Sequence, residues 1–179
     1  MNKNTNFAIP GMYENFITNK VFIHLMKNFP EAFYENVAID AVFGNFQFCI
    51  WDGGRIFSSY SHATKEEIEK IIDFFNEKNN IPIRFIYTNT EIQKEHLSNR
   101  FCNFVTELCE NELNEIVVNS PILEDYLRNK YPKYKFISST TKCLKKPEEA
   151  SKELTKEYYL VCLDYNLNHN LNYLNSLTE

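Results

Sequence analysis

The chain has 179 residues, enough for one domain with a sizeable core. Its 44% apolar and 24% charged composition, with 15% aromatic residues, favours a packed chain over a disordered one, and a net charge of −5 argues against nonspecific nucleic-acid binding. No apolar run reaches the length of a membrane span, and Met1-Asn2-Lys3-Asn4-Thr5-Asn6 lacks the apolar core of a secretory signal, so a cytoplasmic location is expected.

From the N-terminus, Phe16, Phe22, Leu25, Met26 and Phe29 recur near helical spacing over residues 13–29, and Pro30 ends the run. Residues 37–43 (Val-Ala-Ile-Asp-Ala-Val-Phe) read as the first strand, followed by an aromatic loop containing Gly44, Gly53 and Gly54. Thr64 and Glu67 match a capping box, with Ile68, Ile71, Ile72 and Phe75 forming the apolar stripe of a helix to residue 79. A strand over 82–87 ends in Thr88-Asn89-Thr90, and a helix over 95–111 follows with Leu97, Phe101, Phe104, Val105 and Leu108 on one face. The third strand, 115–118, ends in Asn119-Ser120. Ser120-Pro121 has the form of an N-cap with a first-turn proline. Residues 135–137 form a fourth strand leading into Ser138-Ser139-Thr140-Thr141, with a helix from Pro147. A fifth strand over 158–163 ends in Asp164-Tyr165-Asn166, and a last helix occupies 169–177.

Alternating strands and helices predict a parallel α/β fold with right-handed crossovers. Two architectures satisfy this pattern: a partial TIM-type barrel of about five βα units, and a five-stranded open doubly wound sheet. The absence of a Gly-rich turn between first strand and helix, and of a P-loop, weighs against the open sheet. The barrel also explains why four strands end in small polar residues, since these ends then meet at one face. Capping of the helices that follow is the competing explanation for each of them.

The strand-end phrases Val117-Val118-Asn119-Ser120-Pro121-Ile122-Leu123, Tyr131-Pro132 and Phe136-Ile137-Ser138-Ser139-Thr140-Thr141 resemble those of the collagenase-like peptidase family (peptidase family U-thirty-two). Leu160-Val161-Cys162-Leu163-Asp164, Asp40-Ala41-Val42-Phe43-Gly44 and Asp52-Gly53-Gly54-Arg55-Ile56 are similar to further segments of it. The resemblance extends to uncharacterised bacterial proteins, and the abundance of Asn, Lys and Ile suits an AT-rich bacterial genome. It implies a (β/α)8 barrel, with proteases and RNA- or quinone-precursor hydroxylation proteins among its members. Several of these carry an iron–sulfur cluster on cysteines downstream of the strands present here, so no cluster ligand transfers to this chain. Five strands do not close such a barrel, so a homodimer or a partner chain is expected to complete it.

Asp164 is the foremost candidate for acid–base or cation-binding chemistry, with Ser139 and Thr140 as companion catalytic residues; an Asp capping the final helix is the alternative. Asn89, Asn119, Asn166 and Arg55 are candidate binding residues for a polar small molecule or nucleic-acid component. Lys142 is a further candidate anion contact, with solvated surface charge as the competing reading. Trp51 serves either as a ligand platform or as core. The four histidines lack HxH or HExxH spacing, and the five cysteines lack CxxC pairs, so no metal or cofactor is expected and reduced, mostly buried thiols are.

Overall fold

A computed structural model describes residues 5–53, 62–167 and 169–177. Six parallel strands form one sheet: β1 (Thr5–Pro10), β2 (Val37–Gly44), β3 (Ile83–Tyr87), β4 (Glu115–Val118), β5 (Lys135–Ser138) and β6 (Leu160–Val161). Their spatial order is β1-β2-β3-β4-β5-β6, each strand beside its sequence neighbour. A doubly wound sheet reverses direction at a switch point, so this order excludes the open-sheet alternative and gives a curled half-barrel. β1 has no counterpart among the strands expected from the sequence. Residues 5–10 are short and largely exposed, and give no apolar alternation before the first helix.

The helices are α1 (Phe16–Asn28), α2 (Lys65–Ile72), α3 (Arg100–Leu108), α4 (Pro121–Lys130), α5 (Pro147–Leu154) and α6 (Leu171–Ser176). The expected capping box of α2 is present: Glu67 N–H donates to Thr64 Oγ1 and Thr64 N–H donates to the Glu67 carboxylate. α2 then widens into a π-type turn over Asp73–Glu77. Among the described residues, no helix is long and apolar enough to cross a membrane.

Strand alternation divides the sheet into two faces. Ile83, Phe85 and Tyr87 of β3 and Ile116 and Val118 of β4 join Ile68, Ile71, Phe75, Val105, Leu123 and Leu127 of the helices in the main core. The opposite face carries Arg84 and Ile86 of β3 beside Glu115 and Val117 of β4, which in turn pair with Lys135 and Ile137 of β5. There Arg84 bridges two strands, with Nε 2.5 Å from Glu115 and Nη2 2.9 Å from Asp40. Asp40 is the residue skipped by β1 where the register shifts, and this bulge orients it towards Arg84. Burial raises the pKa of the Glu115 carboxyl, with Arg84 opposing that shift.

Candidate functional site

Parallel strands in sequence order bring their C-terminal ends to one rim, where sites of such folds are built. At β2 the rim is formed by residues 45–53, which fold back rather than run directly into α2. Asn45 extends the strand by side-chain mimicry: its Nδ2 donates to Ile86 O at 2.7 Å and its Oδ1 accepts from Ile86 N–H at 3.0 Å. Phe48 takes a left-handed backbone conformation (φ 62°), which reverses the chain just before Cys49. Trp51 is fully buried, packs edge-on against Tyr87 and Tyr126, and donates Nε1–H to His96 O at 2.9 Å. It is core, which decides between its two readings. Gly53 lies so close to β3 that a Cβ there would stand 2.2 Å from Thr88 Oγ1.

Asp52 and Gly53, with Thr88, Asn89 and Thr90 after β3 and Thr141 after β5, line a cavity of about 320 Å³. Its polar groups are mainly neutral hydroxyls and amides, which suit orienting a polar ligand. Thr88, Thr90 and Thr141 appear in the strand-end phrases, but nothing in the sequence ranks them above Ser139 or Thr140. Only the fold shows that Thr141 faces the β3 end.

The residues expected to form the site have different surroundings. Asn89 lines the cavity, and its amide is engaged locally: Nδ2 donates to Ile50 O at 2.7 Å and Oδ1 accepts from Glu91 N–H at 2.8 Å. Asn119 is half-buried at the end of the intervening strand, β4, and its side chain makes no hydrogen bond among the described residues. Ser139 is buried. Its Oγ accepts from Thr141 N–H at 3.1 Å and lies 2.8 Å from Thr141 Oγ1. Thr140 Oγ1 donates to Leu163 O at 2.7 Å, joining the ends of β5 and β6. Arg55 lies outside the described residues.

Asp164 is 3% exposed; its Oδ1 accepts from Asn166 N–H at 2.9 Å and Nδ2–H at 2.8 Å, and its Oδ2 is 3.6 Å from Lys145 Nζ. The Asn166 amide hydrogen bond and Lys145 hold its carboxyl below the usual carboxylate range. Asn166 itself borders a separate, open depression with His169, Asn170, Leu171 and Asn172. Ser120 occupies the N-cap position of α4 with extended backbone, but its side chain makes no capping hydrogen bond.

Sequence reasoning missed a dense polar network on the helix side of β5. Lys142 is not solvated: its Nζ is 2.6 Å from Glu153 Oε1, 2.7 Å from Tyr158 Oη and 3.4 Å from Glu124 Oε2. Ser138 Oγ donates to Glu153 at 2.8 Å, and Tyr158 donates to Glu124. Arg128 stacks over Phe136 and Tyr158 and pairs with Glu124 at 2.9 Å. Lys142, Glu124 and Glu153 are scattered over 30 residues of sequence, so no local spacing announces the cluster. Its charges neutralise one another, as buried charges must.

Among the described residues no group of three or more His, Cys, Asp or Glu side chains is placed to hold a metal ion. No family model matches the chain, and no curated protein does. Among solved structures, that of the U32 peptidase Mk0906 is similar with a TM-score of 0.56 and 16% identity, over 99% of this chain and 67% of that one. At that identity the likeness shows a U32-peptidase-like α/β fold.

Proposed function

We propose that this peptidase-like half-barrel binds a polar small molecule or nucleic-acid component at the C-terminal ends of its strands. The supporting observation is the polar cavity bounded by Asp52, Gly53, Thr88, Asn89, Thr90 and Thr141. In this reading Asn119 and Asn89 orient the ligand, Arg55, two residues beyond Gly53 in the chain, supplies a cation, and Asn166 extends the polar rim. Any chemistry falls to Asp164 with Ser139 and Thr140, at the ends of β6 and β5.

Binding is tested by thermal shift and NMR titration against nucleosides, nucleotides and short peptides, using wild type, Asn119→Ala, Thr141→Ala and Asp164→Ala. The expected result is a ligand-dependent rise in Tm that weakens in Asn119→Ala and Thr141→Ala while their spectra remain native. Equal binding by these variants, or no binding by any of these classes, overturns the reading. A native Asp164→Ala that leaves affinity and activity unchanged removes Asp164 from the site.

A second reading is a non-catalytic module completed by a second copy or a partner chain. It is favoured by the sheet edges. Phe7 and Phe22 beside β1 are 50% and 38% exposed, and Tyr159 and Leu160 at β6 are 56% and 43% exposed.

A further inference from the structure

Cys49 and Cys102 are 53 positions apart in the chain, yet their sulfurs lie 3.2 Å apart and both side chains are buried. Cys49 sits in the turn between β2 and α2. Cys102 is in the first turn of α3, where its N–H donates to the N-cap residue Asn99 at 2.9 Å. An S–S bond is about 2.05 Å long, so joining the two sulfurs requires a closure of roughly an ångström.

We propose that Cys49 and Cys102 form a peroxide-sensitive dithiol that closes to a disulfide, with Cys102 as the attacking sulfur and Cys49 as the resolving one. The asymmetry is built into the surroundings. The hydrogen bond with Cys49, with the nearby backbone of Trp51 and Ile50, pulls the Cys102 thiol's pKa down against the effect of burial. Burial, together with the hydrogen bond to Cys102, pushes the Cys49 thiol up. A helix N-terminus further favours a thiolate at Cys102. Cys109 and Cys162, by contrast, are pushed up by burial.

The oxidant is a hydroperoxide. The Cys102 thiolate attacks one peroxide oxygen, the O–O bond breaks, and Cys102 sulfenic acid and hydroxide form, the latter leaving as water with the proton released from the thiol. Cys49 sulfur then attacks Cys102 sulfur, expelling a second water as the S–S bond forms. Two thiols and one hydrogen peroxide thus become one disulfide and two waters. The bond would tie the 45–53 turn, whose Asp52 and Gly53 wall the cavity, to α3. The thiol chemistry stands whether or not that cavity binds a ligand.

The test treats the reduced full chain with hydrogen peroxide, unfolds it in denaturant to block all remaining thiols with an alkylating agent, and maps peptides by mass spectrometry. The expected product has lost two hydrogens, carries label on three of its five cysteines, and yields one peptide joining Cys49 to Cys102. A dithiothreitol-reversible rise in Tm accompanies it, because the bond closes a long loop. With dimedone present, Cys49→Ser is expected to trap a sulfenic acid at Cys102, and Cys102→Ser to trap none at Cys49. Oxidation confined to exposed Cys143, with Cys49 and Cys102 both labelled, overturns the proposal in wild type alone, whatever the variants do.

Discussion

Among single residues, Glu153 shows most clearly how surroundings set chemistry. Burial opposes its ionisation, but hydrogen bonds from Lys142, Lys156 and Ser138 outweigh that and hold its carboxyl at about 2, against an ordinary 4.5. A carboxyl depressed in the folded state stabilises the protein fully above its unfolded pKa, and that contribution is lost as pH falls from 4.5 through about 2. The shift corresponds to roughly 3 kcal/mol. Glu153→Gln is expected to lose roughly 2–3 kcal/mol at pH 7 in urea unfolding and to flatten the pH dependence below 4.5. An unchanged acid limb in the variant would show that other carboxylates set it. Lys142 illustrates the same limit of local reading, since a lysine in a Ser/Thr-rich turn reads as solvated until α4 and α5 bring Glu124 and Glu153 against it.

Among the elements, the joints matter as much as the strands. The π-type turn that ends α2 presents Asn76 to Asn114, and their amides bond reciprocally at 2.9 and 3.0 Å. Asn114, fully buried, also accepts from Ile83 N–H at 2.8 Å and donates to Cys109 O at 2.9 Å, so one side chain fastens α2, β3 and the α3–β4 turn. Removing it leaves several buried polar groups unpaired. Asn114→Ala is therefore expected to cost about 2–4 kcal/mol in urea unfolding without changing the native circular-dichroism spectrum. A loss below about 0.5 kcal/mol would mean that water replaces the amide. In the sequence this asparagine is one of many in polar turns, and its burial follows only from the meeting of three elements.

At the scale of the whole molecule, the half-barrel leaves β1 and β6 at its edges among the described residues. Parallel strands with unpaired edges and adjacent apolar side chains favour association. Light scattering is expected to show a mass above 21.2 kDa that rises with concentration. Tyr159→Lys with Leu160→Lys is expected to return the monomer, because charges on an edge oppose pairing. A concentration-independent monomer would count strongly against the self-completing module and leave the ligand reading untouched.

The sequence alone determined the alternation of strand and helix from Val37 onwards, the capping box at Thr64 and Glu67, and the polar ends of the strands. Each rests on periodicity or on contacts within a few residues. Strand order, the extra strand β1 and the fate of individual polar side chains depended on tertiary structure. Ser139, Thr140 and Thr141 are adjacent and chemically alike, yet one is buried in its own turn, one ties β5 to β6, and one faces the cavity. The Cys49–Cys102 contact and the Lys142 network likewise join residues distant in the chain. Local propensity fixes which segments pair and pack, whereas the neighbours of each side chain are set only when the sheet curls and the helices close over it.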